Sequence, residues 1–172
     1  MVDLASRIRK IPDFPKPGIL FYDISTILVD PLSFREAIRR IAQLAREFRP
    51  QVLAAIESRG FLFAAPLALE LGIGFVMVRK VGKLPGTVVS HSYDLEYGSD
   101  TLQLADGLVA PGSRALVVDD LIATGGTARA TVELLAKVGA EPVGAVFLIE
   151  LVGLGGMSRL GVPARSVLQF PG

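Results

Sequence analysis

The chain has 172 residues, 51% of them hydrophobic, and 18 lysines and arginines against 17 acids give a net charge of +1. It can therefore bury a core without covalent staples, and it carries no broad field for nucleic acid or an anionic membrane, so a small molecule is the expected ligand. With no cysteine and a single histidine, disulfides, thiol catalysis and thiolate metal sites are excluded and a zinc centre is disfavoured. No apolar run approaches the roughly 18 residues of a membrane-spanning helix. The opening MVDLASRIRKIPDFP lacks the apolar segment, about 7 to 15 residues long, of a secretory signal, so the expected compartment is the cytoplasm.

Taken in chain order, Leu4, Ile8 and Ile11 have the spacing of a short helix, and the stretch from Asp13 to Asp30, set among Pro12, Pro15, Pro17 and Pro31, has little helical period. Residues 1–32 are expected to form an N-terminal arm and a small cap. Phe34 to Phe48 has helical spacing, Val52 to Ile56 is a strand-length apolar run, Leu62 to Leu71 is helical with Gly72 closing it, and Phe75 to Val78 is a second strand. Between Lys80 and Leu104 a polar, Gly-rich loop gives way to SYDLEYGSDTLQLA. Its alternation predicts a hairpin outside the main sheet, and 80–104 as a whole reads as a lid. Ala115 to Val118 is a strand, Ala128 to Val138 a helix closed by Gly139, Val143 to Ile149 a long buried strand, and Val167 to Phe170 a short edge. Strands alternating with helices predict one α/β domain over 1–172 with a mainly parallel, doubly wound sheet.

The segment ALVVDDLIATGGTAR, Ala115 to Arg129, places a Gly-Gly turn at the carboxyl end of a buried strand and the start of a helix. That position offers backbone N–H groups and a helix N-terminus to a phosphate. Thr124 and Thr127 add hydroxyls, and Gly125 and Gly126 let the main chain approach an anion. Asp119 and Asp120 would repel that phosphate unless they faced a ribose diol or a hydrated Mg²⁺, so the motif asks for a phosphorylated ribose. No Lys follows the glycines as a P-loop requires, and no GxGxxG follows a strand, which disfavours ATP hydrolysis and NAD binding. Glu57-Ser58-Arg59-Gly60-Phe61 is a second strand-to-helix turn, bringing Arg59 to the same edge as a diphosphate ligand. Arg79, Lys80 and Lys83 form a basic loop suited to closing over that diphosphate and excluding water. His91, between Ser90 and Ser92, reads as a surface residue, and Glu150 as the end of a core strand.

On this strand, acidic pair and TGGT turn the chain resembles the type I phosphoribosyltransferases. PGILFYD at Pro17 to Asp23, ESRGF at Glu57 to Phe61, RKVGKLPG at Arg79 to Gly86 and YDLEYG at Tyr93 to Gly98 sharpen the resemblance to adenine phosphoribosyltransferases, and it extends from about Phe14 to Pro171. It implies that Ala123, Thr124, Gly125, Gly126 and Thr127 hold the 5′-phosphate and that Asp119 and Asp120 take the ribose hydroxyls. It further implies that Arg59, Arg79, Lys80 and Lys83 face the diphosphate, that Phe21 and Leu121 sandwich the purine, and that main-chain groups of Leu20 and Tyr22 read its edge. Glu96 is implied as the acid-base carboxylate near purine N7. The sequence departs from many relatives at Tyr22, where a basic residue is common.

The implied reaction joins adenine to 5-phosphoribosyl 1-diphosphate, giving AMP and diphosphate. Mg²⁺ is expected to be held mainly by substrate oxygens, with no dedicated metal site on the protein, and the chain is expected to be a homodimer. Two rival readings are a 6-oxopurine (xanthine or hypoxanthine) phosphoribosyltransferase and a non-catalytic regulator that senses the sugar diphosphate. The first lacks a side chain in Leu121 to Thr127 to read O6, and the second lacks the basic face expected of a nucleic-acid-binding regulator.

Overall fold

The computed structural model describes residues 2–94 and 98–172, and the chain divides into two compact units, 1–40 and 41–172. The first opens with α1 (Leu4–Arg7), capped by the Asp3 carboxylate, which accepts from the N–H groups of Ala5 and Ser6 at 3.1 and 3.3 Å. The helical spacing predicted through Ile11 breaks off at Arg7, because β1 (Arg9–Ile11) pairs antiparallel with β2 (Phe21–Asp23) in the register Arg9↔Asp23, Lys10↔Tyr22 and Ile11↔Phe21. Asp23 ties this ribbon together. It accepts from the Ser25 N–H at 2.9 Å and from Arg9 Nε at 3.0 Å, and the Ser25 and Arg9 bonds hold its carboxyl down at about 2. Phe14 and Phe21 meet edge to face, their ring centroids 5.1 Å apart. After α2 (Ser25–Leu28), Asp30 caps α3 (Pro31–Glu47) through the Ser33 N–H at 3.1 Å, and α3 carries the chain into the second unit.

The second unit is a seven-stranded sheet in the order β5-β6-β4-β3-β7-β8-β9. Its parallel part is built from β3 (Val52–Ile56), β4 (Gly74–Lys80), β7 (Arg114–Ile122), β8 (Glu141–Leu151) and β9 (Ala164–Phe170). From β3 the chain crosses through α4 (Arg59–Leu71) outward to β4, and from β7 it crosses through α5 (Gly126–Lys137) in the opposite direction to β8. The two crossovers diverge between β3 and β7, which makes that junction the topological switch point of a doubly wound sheet. Alternation along the strands supports this layering. Ala54 and Ile56 of β3, Ala115 and Val117 of β7, and Ala145 and Phe147 of β8 share one core with Leu134 and Leu135 of α5.

The expected hairpin forms from β5 (Val88–Asp94) and β6 (Ser99–Ala105), but it lies within the main sheet rather than outside it. β6 pairs antiparallel with β4 through Arg79↔Gln103 and Lys80↔Leu102, and Leu102 and Leu104, each 1% exposed, join the α5 core. Their period-2 spacing is a burial signal that the local pattern could not assign to a partner strand.

Candidate active site

At the switch point the carboxyl ends of β3 and β7 deliver two turns side by side. α4 begins directly after Glu57-Ser58, and its Gly60 backs onto β7 so closely that a Cβ there would stand 2.8 Å from the Val118 carbonyl oxygen and 3.1 Å from Asp119 Oδ1. Only glycine permits this approach, which sets Arg59 against the acidic pair. Arg59 Nε lies 2.9 Å from Asp120 Oδ2, whose side chain is only 3% exposed. Burial still pushes the Asp120 carboxyl up, outweighing Arg59. Asp119 accepts the Asp120 N–H at 2.8 Å, and burial, reinforced by the Asp120 charge, holds its carboxyl well above the ordinary carboxylate range.

A raised carboxyl opposes folding once it must ionise. Below the unfolded value near 3.8 Asp119 costs nothing, and the cost grows as pH rises toward its folded value. Asp119→Asn, which keeps the acceptor oxygen, is therefore expected to melt higher than the parent at pH 8 and level with it below pH ~3.5. A difference of about 2–4 °C corresponds to ~1 kcal/mol in a chain of this size. Thermal melts across that pH range check it, and equal melting at pH 8 would refute the assignment.

The basic loop grows out of the end of β4. Arg79 Nη2 donates to Glu57 Oε1 at 3.0 Å and Nη1 to the Lys83 carbonyl at 2.9 Å, while its guanidinium carbon lies 5.9 Å from the centroid of the Phe61 ring. Glu57 also accepts the Lys80 N–H at 3.0 Å, and its carboxyl is lowered chiefly by the Arg79 bond. Lys80 Nζ pairs with Asp100 at 2.9 Å. Lys83 is exposed.

The glycine turn closes the cradle. Gly125 takes φ +83° as the residue before α5, so the first N–H groups of that helix, which have no intrahelical partner, open toward the cleft. The Tyr93 hydroxyl lies 3.1 Å from Thr127 Oγ1. Behind the turn a second glycine loop packs against it, so that a Cβ on Gly156 would stand 2.3 Å from the Ala123 carbonyl oxygen and 3.0 Å from the Gly125 nitrogen. Arg159 reaches the Thr124 carbonyl at 3.5 Å. A cavity of about 380 Å³ opens over the turn, lined by Glu57, Lys80, Tyr93, Asp100, Asp119 and the run from Leu121 to Ala128.

The structure thus gathers Arg59, Arg79, Lys80, Asp119, Asp120 and the whole Ala123–Thr127 turn at one sheet edge, with Leu121 in the cavity wall. Leu20, Phe21 and Tyr22 stand in the first unit, where Phe21 and Tyr22 lie on β2, Tyr22 is buried and Leu20 is 43% exposed. Glu96 lies outside the described residues. His91 is held by Glu133 of α5, with 2.8 Å between Nε2 and Oε2. Glu150 accepts from Ser166 Oγ and Gln169 Nε2 at 2.9 Å each. Sequence reasoning missed Asp100, Tyr93 and the Gly156 loop as parts of the site. The register Tyr93↔Asp100 is the one signal that could have linked the first two.

A doubly wound sheet whose switch point carries an acidic pair, a glycine turn at a helix N-terminus and an arginine from the start of the neighbouring helix has the design of a phosphoribosyltransferase. The family model described as the phosphoribosyl transferase domain matches residues 23–159. The adenine phosphoribosyltransferase of Rhodospirillum rubrum is 56% identical over 169 residues, covering 98% of this chain and 99% of that protein. The crystal structure of adenine phosphoribosyltransferase from Thermoanaerobacter pseudethanolicus superimposes with a TM-score of 0.94 at 44% identity, covering 98% of each chain. That of the Saccharomyces cerevisiae enzyme, complexed with D-2,5-dideoxy-2,5-imino-altritol 1,6-bisphosphate and adenine, gives 0.92 at 40% identity, covering 96% of this chain and 97% of that one. The chain belongs to the adenine phosphoribosyltransferase family.

Proposed function

We propose that the chain transfers the 5-phosphoribosyl group from 5-phosphoribosyl 1-diphosphate to adenine, releasing AMP and diphosphate, a purine-salvage reaction. One observation carries this reading: the acidic pair, the glycine anion turn and the cations Arg59, Arg79 and Lys80 converge on one sheet edge. The Ala123–Thr127 turn takes the 5′-phosphate, Asp119 and Asp120 take the ribose hydroxyls, and the cations with Lys83 draw charge from the departing diphosphate. The basic loop from Arg79 to Gly86, which carries Lys83, is the segment that closes over it. Leu20, Phe21, Tyr22 and Leu121 are the adenine-binding residues in this reading, and Leu121 lines the cavity wall. The carboxylate oxygens of Glu57 and Asp119 in that cavity are hard donors of the kind a hydrated Mg²⁺ accepts, which fits a metal carried in largely on substrate oxygens. Such a metal neutralises charge on the leaving diphosphate. AMP formation with adenine, the sugar diphosphate and Mg²⁺, run beside hypoxanthine, guanine and xanthine, tests the reading, and absence of AMP from all mixtures would sink it.

Glu96 is the proton-transferring carboxylate in this reading. Glu96→Leu is expected to lower turnover while the sugar diphosphate binds as before, measured by steady-state kinetics against calorimetric affinity. Unchanged turnover would remove Glu96 from the mechanism.

The working form is a homodimer. Exposed apolar side chains in the second unit support this: Phe75 and Met77 of β4, alternating with the buried Val76 and Val78, are 37% and 42% exposed, and Leu62 and Leu69 of α4, one heptad apart, are exposed as well. Sedimentation is expected to give twice 18.3 kDa, falling toward the monomer for Met77→Arg. A parent protein sedimenting as a monomer would end the proposal. Among the described residues no helix is long and apolar enough to cross a membrane.

A further inference from the structure

Three cations of the site already hold a carboxylate. Arg59 pairs with Asp120 at 2.9 Å, Arg79 with Glu57 at 3.0 Å, and Lys80 with Asp100 at 2.9 Å. Two of these carboxylates have other duties. Asp120 belongs to the ribose pair, and Glu57 braces the end of β4 through the Lys80 N–H. Asp100 has a different placement. It sits on β6 two residues before Leu102, the register partner of Lys80, which makes it the diagonal cross-strand neighbour of Lys80 on the same sheet face. Its side chain lines the same cavity as Lys80 and Thr127 and faces Tyr93 across the hairpin.

We propose that Asp100 is a positioning residue, the resident counter-anion of Lys80, which holds the lysine ammonium while no diphosphate is bound and competes with diphosphate for it. The proposal rests on the reading of Lys80 as a diphosphate-binding cation. The Lys80 side chain is 64% exposed and that of Asp100 22%, so the pair is weak enough for a multiply charged anion to displace. The Lys80 bond, its largest influence, keeps the Asp100 carboxyl below the ordinary aspartate value, so the counter-anion remains charged at neutral pH. A carboxylate that reclaims Lys80 lowers the affinity of the site for the released diphosphate without removing any group that binds it.

Calorimetric titration of inorganic diphosphate with Mg²⁺ into the parent chain, Asp100→Asn, Asp100→Ser, Lys80→Ala and the Lys80→Ala/Asp100→Asn double variant tests this. Both Asp100 variants are expected to bind diphosphate about three- to fivefold more tightly than the parent, the range an exposed ion pair supplies. In the Lys80→Ala background Asp100→Asn is expected to change nothing. Unchanged or weaker binding by the Asp100 variants, in a parent that binds diphosphate, overturns the proposal alone, weaker binding marking Asp100 as a ligand contact instead. A gain that persists without Lys80 also overturns it, because the effect would then be general charge. A parent chain that binds no diphosphate overturns the site reading and the proposal with it.

Discussion

Adenine is expected to outrun hypoxanthine as acceptor by roughly 10⁴ in kcat/KM. The discrimination lies with main-chain atoms of Leu20 and Tyr22. In the proposed reading a carbonyl accepts from the 6-amino group and an N–H donates to N1. A 6-oxo purine carries an N1–H and an O6 acceptor, so both contacts would set like against like and leave polar groups unpaired in a closed site. Bonds within the first unit tie the end of this segment in place. Asp23, the last residue of β2, is fixed to Arg9 and to the Ser25 N–H, and Phe14 packs edge to face on Phe21. Tyr22 is buried, and its burial raises the phenol above its ordinary value, so that side chain brings no charge to the base. Parallel steady-state assays of the two bases decide the point, and comparable turnover of hypoxanthine would place the error in Leu20 to Tyr22.

Gly156→Ala is expected to cost about 10² in kcat/KM for the sugar diphosphate while the fold persists. Gly156 has ordinary helical dihedrals, φ −61° and ψ −39°, so alanine meets no backbone strain there. The obstacle is contact. Its Cβ would stand 2.3 Å from the Ala123 carbonyl oxygen, 2.8 Å from Ile122 Cγ1 and 3.0 Å from the Gly125 nitrogen, and relief requires the anion turn to move by about 1 Å. A displacement of that size is enough to disturb a preorganised phosphate site. Circular dichroism and a thermal melt separate this outcome from unfolding, while kcat/KM within threefold of the parent would show that the turn does not depend on the loop behind it. Gly125→Ala should be at least as severe, since it adds a positive φ to a 2.6 Å contact with the Gly156 carbonyl oxygen.

Much of this protein is legible in short stretches of its sequence. The apolar runs at Val52 and Ala115, each followed by a turn and a helical period, gave the parallel α/β layering. Asp119-Asp120 with TGGT gave a sugar-phosphate cradle, because these features are local: strand, turn and helix N-terminus are contiguous in the chain. Local pattern failed where the partner was distant. It carried a helix through Ile11, where pairing with β2 makes a strand, and it set the 88–105 hairpin apart from the sheet that β6 joins through Arg79 and Lys80. It could not pair Lys80 with Asp100, twenty residues away, or mark Gly156 as the floor beneath the anion turn. Those contacts follow from strand register and from the close approach of two loops, which periodicity does not encode. The sequence by itself determined the class of chemistry and singled out the groups proposed to perform it, whereas the tertiary structure decided which carboxylate each cation holds and which glycine has no room for a side chain.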